Sequence, residues 1–398
     1  MLTVAPSRRA ALQPCSRQAR RQLHRAACRA PCGLHIRAAT ASTSPAAPLT
    51  VSDTSQLAQL ARMTVLSIDT GDLGIIKRFA DTNLITDATT NPLFISQTAA
   101  RGDEPEYAAL VDEAVAAAAK AMGRQAGAPS AEAVNLAIDH LSVNLGRKIL
   151  DIVPGYVSTE VDIRLSFDAV ASEARARGII DLYEAVGVGR ERVLIKLAGT
   201  WEGIRCAEAL EKDGIRCNIT LVFGQCQAVA AAQADAHLIS PFPGRVLEWS
   251  KFDPDGPKGG PVYAPSEDPG VQACAAMYAY FRRHGHATIC MPASWRSSTG
   301  DDPLDEIRAL AGTDRMTIPP PLLEALAADE SPLPRVLEPE AAAGTCADDG
   351  AHLDEATFRW QLACDGAAND KLAAGIRAFA GDTARLVAIL EAHPGWAV

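Results

Sequence analysis

The sequence predicts a (β/α)8 barrel, a single domain over residues 52–398 that follows a separate leader, residues 1–45. Three observations lead there. From residue 60 onward, short apolar or β-branched runs recur eight times. Between them lie longer stretches with apolar residues at i, i+3 and i+4, the spacing of amphipathic helices. Most of the runs end on a polar side chain, and the carboxyl end of the strands is where parallel barrels carry their chemistry. A doubly wound open sheet is the competing architecture, but no G-x-G-x-x-G follows any run.

The expected strands are 64–69, 84–89, 153–161, 193–198, 217–223, 237–242, 288–294 and 316–319, and the clearest expected crossover helices are 167–185, 201–212, 225–234 and 271–283. Between the second and third strands about 60 residues intervene, with helical patterns at 105–122 and 131–149, so two helices stand where the repeat needs one. After the eighth strand, 322–333 and 370–391 read as helices. The second carries Leu372, Ile376, Phe379, Leu386 and Ile389 on one side. The Pro-, Ala- and acid-rich segment 331–354 is expected to be the loop joining them. The glycine-rich stretch 256–260 holds Pro257 and is expected to be a loop, not a phosphate cradle.

The amino terminus differs in kind. Residues 1–52 contain eight arginines, many alanines and no lysine or carboxylate, and Asp53 is the first acid. An Arg-rich, acid-free leader without an apolar h-region is the pattern of an organelle transit peptide, cleaved between Arg37 and Ala47; a basic nucleic-acid-binding or unstructured tail is the alternative. The whole chain has a net charge of −10. The leader holds eight of the 38 cationic residues and no acid, so without it the charge becomes −18. Nucleic acid is therefore not an expected partner. No apolar run approaches the ~20 residues of a membrane span, so no membrane partner is expected. Of ten cysteines, three leave with the leader, and the remaining seven show no CxxC or His-paired spacing. No metal site is expected, and the scatter suits a reduced compartment.

The run Val193-Leu194-Ile195-Lys196-Leu197-Ala198 places an amine among branched apolar side chains. Taken alone, such a lysine is ordinarily a stem lying along a strand with its head reaching water. Burial disfavours the charged form of an amine, and a neutral amine is what attack on a carbonyl needs. The other strand ends decide between these readings. The first ends at Asp69, the second leads to Thr89, Thr90 and Asn91, and the third reaches Glu160; the fifth has Asn218 and Thr220, the sixth Ser240, and the seventh is followed by Arg296. Each has an ordinary alternative: Asp69 as a helix cap, Thr220 as a β-propensity choice. Together they describe a site in which a lysine converts a ketone to an iminium ion and carboxylates on two strands, Asp69 and Glu160, divide the proton transfers. Asn, Thr and Ser suit sugar hydroxyls and arginine suits a phosphate, with no metal or redox cofactor required.

Several stretches carry a family resemblance: Asp69-Thr70-Gly71-Asp72, Asp87-Ala88-Thr89-Thr90-Asn91-Pro92, Val157-Ser158-Thr159-Glu160-Val161-Asp162, Ile195-Lys196-Leu197-Ala198, Cys217-Asn218-Ile219-Thr220-Leu221, Leu238-Ile239-Ser240-Pro241-Phe242 with Gly244-Arg245, and Asp268-Pro269-Gly270. From about residue 64 to 390 the chain resembles the transaldolases, Schiff-base-forming enzymes of the pentose phosphate pathway. The resemblance implies sugar phosphate substrates, commonly a homodimer, and a plastid location for a form with this leader, with the mitochondrion as runner-up. It implies Lys196 as the imine-forming residue, Asp69 as the base for the C4 hydroxyl, and Glu160 and Thr220 as holders of a catalytic water. Asn91, Asn218 and Ser240 would hold the hydroxyls and dihydroxyacetone unit, and Arg245 and Arg296 the phosphate. Phe242 favours transfer over release of free dihydroxyacetone, because an apolar neighbour there does not activate a water to protonate the enamine. An aldolase releasing that product and a silent barrel used for binding are the alternatives. Gly199, Gly224-Gln225-Cys226, Trp295 and the longer segment 297–302 depart from the family pattern.

Overall fold

The computed structural model describes residues 49–123, 128–252 and 260–397; the leader expected at 1–45 and most of the glycine-rich stretch 256–260 lie outside the described residues. The eight strands are β1 (Val65–Asp69), β2 (Ile85–Thr89), β3 (Val157–Glu160), β4 (Val193–Ala198), β5 (Cys217–Val222), β6 (Leu238–Pro241), β7 (Ile289–Cys290) and β8 (Arg315–Ile318). All paired neighbours are parallel, in the order β7-β6-β5-β4-β3-β2-β1-β8. The ring closes where the Thr317 N–H donates to the Pro292 carbonyl at 3.2 Å. This is the predicted (β/α)8 barrel.

The two-residue period of a strand sets what faces inward. On β4, Val193, Ile195 and Leu197 join the apolar layer between the strands and the surrounding helices. Leu194 instead packs inside the barrel with Leu238 and Met291, and Ala198 belongs to a separate cluster at the carboxyl-end mouth. Lys196 lies between them in the same inward row, above an apolar floor and below the mouth. Each fully buried Ile or Leu in the outer layer contributes roughly 1.5–3 kcal/mol, which is why an alternating run with one inward amine remains a strand.

β1, β2, β5 and β6 fall one or two residues short of expectation, and β3 and β7 fall further short. β3 starts at Val157, because Pro154 and Gly155 lead into Tyr156, whose N–H is taken by Asp87 Oδ1 at 2.8 Å. β7 spans only Ile289–Cys290, because Pro292 has no N–H. Even so, Met291 and Ala293 still donate to Ile239 and Pro241 of β6. The inserted helices are Pro105–Met122 and Ala131–Leu150, as expected. At the carboxyl end the expectation needs correcting. The helix expected over 322–333 is Pro320–Ala328, and Pro332 and Pro334 follow in extended chain. The segment expected to be a loop holds a helix, Pro339–Thr345, and another, Glu355–Cys364, follows. The last long helix begins four residues early, at Gly366, because Asp365 caps it through the Ala368 N–H; it runs to Glu391.

That last helix approaches the barrel closely at Gly375, where an added Cβ would lie 2.7 Å from Leu221 Cδ2. Leu221 has φ +56°, a left-handed conformation in a branched residue, and sits where the β5–β6 register shifts. The bulge turns a fully buried leucine out of β5 and into the helix. Ser294, after β7, has φ +64°. Leu221 and Ser294 stand at the mouth, whereas the other two left-handed residues among those described that are not glycine, Asn83 and Asp235, lie in the turns that precede β2 and β6. No helix among the described residues is long and apolar enough to cross a membrane.

Candidate active site

Lys196 is 5% exposed and level with Glu160 on β3 and Asn218 on β5. Its Nζ lies 3.5 Å from Glu160 Oε2 and donates to the Thr90 carbonyl at 3.2 Å. Asp69 closes the far side. Its Oδ1 accepts from Thr89 Oγ1 at 2.8 Å, and Thr89 and Thr317 share a second hydroxyl contact of 2.8 Å. The helix Leu73–Ala80 is capped by Asp72, whose Oδ1 accepts from the Ile75 N–H, so Asp69 is left for the cleft. Asn91 does cap a helix, Pro92–Ala99: its Oδ1 accepts from the Phe94 N–H at 3.2 Å. The residue lines the cleft as well.

Burial raises both carboxylates above their ordinary range, against the opposing pull of Lys196. Asp69 is raised by burial despite Lys196, Thr89 and Arg245. Glu160 is raised by burial to about 7, despite its pairing with Lys196. Neither oxygen of Glu160 has a hydrogen-bond partner, and the same holds for the fully buried Thr220 Oγ1. An unpartnered buried hydroxyl costs about 1–3 kcal/mol; Glu160 faces the amine, and Thr220 stands level with Ala198, two residues further along β4. Behind Glu160 a small cavity of about 30 Å³, room for a water molecule, is bounded by Asp139, Ser142, Asp162 and Thr383. Burial raises Asp139 to about 7 although Arg175 lies 2.6 Å away.

Lys196, Asp69, Asn91, Ser240, Phe242 and Arg245 line one cleft of about 240 Å³ at the mouth. Asn218 sits in the wall: it donates to Ser158 Oγ at 3.1 Å and accepts from Ser240 Oγ at 2.8 Å, which fixes the Ser240 hydroxyl. Phe242 is 6% exposed and meets Phe223 edge-on at 5.7 Å. Arg245, in the first turn of the helix Pro243–Ser250, lies 4.9 Å over the Phe242 ring, with no carboxylate in ion-pair contact among the described residues. Burial, then the charge of Arg296, lowers its pKa, as expected of a cation built to meet an anion. Arg296 stands on the rim, where its Nε donates to Glu248 Oε1 at 2.6 Å. Its backbone N–H donates to Glu306 Oε2 at 2.6 Å.

Some lining residues escaped the sequence reading. Ala378, Phe379 and Asp382 come from the last helix, and Asp382 is 8% exposed and paired with Arg385. The available signal was a charged residue on the apolar stripe between Phe379 and Leu386. Gln227 was missed too. Its Nε2 donates to the Gly199 and Leu221 carbonyls and its Oε1 accepts from the Phe223 and Gly224 N–H groups. A Cβ at Gly199 would lie 2.7 Å from that amide, so the glycine leaves room for the Gln227 side chain.

A parallel barrel with a buried, carboxylate-flanked lysine at the carboxyl ends of its strands defines a class: a lysine-centred carbonyl-handling barrel. Sequence comparison gives the family. Residues 66–390 match the Transaldolase/Fructose-6-phosphate aldolase family, and the chain belongs to it. It is 45% identical to a protein named Transaldolase from Actinobacillus succinogenes over 329 residues, 83% of this chain and 96% of that one. The Transaldolase of Yersinia pseudotuberculosis is 46% identical over 81% of this chain and 94% of its own length. That of Haemophilus influenzae is 45% identical over 83% and 96%. Among the described residues no group of His, Cys, Asp and Glu is placed to hold a metal ion.

Proposed function

We propose that this enzyme is a transaldolase of the non-oxidative pentose phosphate pathway. It moves a dihydroxyacetone unit from sedoheptulose 7-phosphate or fructose 6-phosphate to glyceraldehyde 3-phosphate or erythrose 4-phosphate. The observation that carries this reading is the position of the Lys196 amine, 3.5 Å from Glu160, in a cleft that Asp69 also lines.

The amine attacks the C2 carbonyl, and the carbinolamine loses water to give an iminium ion. Glu160, raised to about 7, is suited to both giving and taking the protons of these steps, through a water shared with the Thr220 hydroxyl. Asp69 takes the C4 hydroxyl proton. The C3–C4 bond then breaks, its electron pair passes to the iminium to form an enamine, and the aldose leaves. The enamine attacks the acceptor aldehyde, Asp69 returns the proton, and water releases the new ketose from Lys196. Ser240, oriented by Asn218, and Asn91 hold hydroxyls of the three-carbon unit. Arg245 and Arg296 receive the phosphate, and apolar Phe242 keeps the enamine from being protonated before the acceptor arrives.

A coupled assay with fructose 6-phosphate and erythrose 4-phosphate tests the reading. Turnover that requires the acceptor supports it. Free dihydroxyacetone released without acceptor would establish an aldolase instead, and no turnover with any ketose phosphate would leave a silent barrel. The leader is read as a plastid transit peptide, with the mitochondrion as the other destination, and residues 1–50 fused to a fluorescent protein distinguish the two. A homodimer is the expected assembly, checked by sedimentation.

A further inference from the structure

Glu248, on the same helix as Arg245, bridges two cations. Its Oε1 accepts from Arg296 Nε at 2.6 Å, and its Oε2 lies 3.4 Å from Lys371 Nζ. Lys371 comes from the last helix, seven residues before Ala378. Seven residues are two helical turns, so Lys371 lies on the cleft-facing stripe, about 10 Å along the axis. Burial alone would raise Glu248, but Arg296 and Lys371 hold it below the usual carboxylate range, so it is anionic at neutral pH. Arg245 stands beside Arg296 with no carboxylate in ion-pair contact among the described residues, although Glu248, Asp69 and Asp382 act on it from further off. Arg296 and Lys371 contact the Glu248 carboxylate and Arg245 stands next to Arg296, a grouping of cations that suits a dianion.

We infer that Lys371 is a third phosphate-binding cation, and that Glu248 is an internal competitor that bridges Arg296 and Lys371 until the substrate phosphate takes its place. The inference rests on the phosphate role assigned above to Arg245 and Arg296, and it adds to it a ligand from outside the barrel and a carboxylate that weakens binding. Release of each phosphorylated product is then assisted by the return of Glu248 to its two partners. A bridge of purely structural value makes a different prediction: removing either end loosens the helix, and both variants lose phosphate affinity together.

The experiment measures binding of inorganic phosphate to the whole enzyme by calorimetry, with KM and kcat for fructose 6-phosphate alongside. Lys371→Met is expected to weaken phosphate binding about 10- to 150-fold, the range of one charge-assisted hydrogen bond. KM rises in parallel while kcat changes little. Glu248→Gln is expected to tighten phosphate binding by about 2- to 5-fold, since it removes a competing charge at a partly exposed site. Opposite signs carry the inference. Weakening by both variants, or no change in either, overturns it. Loss of phosphate binding in Arg245→Ala is the control: if that variant binds as tightly as the parent enzyme, the phosphate reading fails first, whatever Lys371 does.

Discussion

Glu306 is fully buried, with Oε1 unpartnered and Oε2 holding the Arg296 N–H. Burial raises it to about 8, so the folded protein keeps a proton that the unfolded chain releases near 4.5. Its contribution to stability is therefore complete below pH 4.5 and is lost as the pH climbs through about 8. Glu306→Gln keeps an acceptor for Arg296 and removes the titration. Thermal unfolding should show it more stable than the parent at pH 8 to 9 and nearly equal at pH 4.5. Glu160 follows the same logic within the site. Glu160→Gln should lower kcat by about 10²- to 10³-fold and erase an inflection near pH 7 from the rate profile, an effect read by steady-state kinetics across pH 5 to 9. Both glutamates stand in the sequence, but only Glu160 was legible as functional, because it ends a strand. Glu306 follows a loop, and nothing in the spacing there distinguishes a buried acid from a solvated one.

The strands were readable because each is a short alternating run bounded by turn residues, and that alternation sends Lys196 inward between Leu194 and Ala198. Boundaries failed where proline intervenes, at Pro154 and Pro292, since a missing N–H ends the ladder without changing hydropathy. The last helix was legible as an amphipathic element. Its role as a wall of the cleft was not, since a helix face says what is buried and not against what. The fit depends on Gly375, and Gly375→Leu should force the helix away from the bulged Leu221. Overpacking of this kind costs about 1–3 kcal/mol. Denaturant titration should register that loss, and KM should rise more than kcat falls, because the displaced helix carries Ala378, Phe379 and Asp382.

At the scale of the whole molecule, seven strand ends that converge on one mouth were the most informative property of the sequence, because closure turns residues far apart in the chain into neighbours. Asp69 and Arg296 are more than 220 residues apart, yet both serve one end of the barrel. What the pattern could not supply was depth. Asn91, Ser240 and Arg245 reach the cleft, Asn218 lies in its wall, Thr220 is buried on β5, and Arg296 stays on the rim with Glu248. The barrel has its own closure bond and core, so a chain starting at Leu49 should unfold at the same temperature as the full chain and turn over at the same rate. The central claim is that Lys196 forms the imine, and borohydride reduction in the presence of fructose 6-phosphate tests it most directly, read by peptide mass mapping. The predicted result is a single reduced dihydroxyacetone adduct on Lys196; an unmodified Lys196, or an adduct on another lysine, would contradict it.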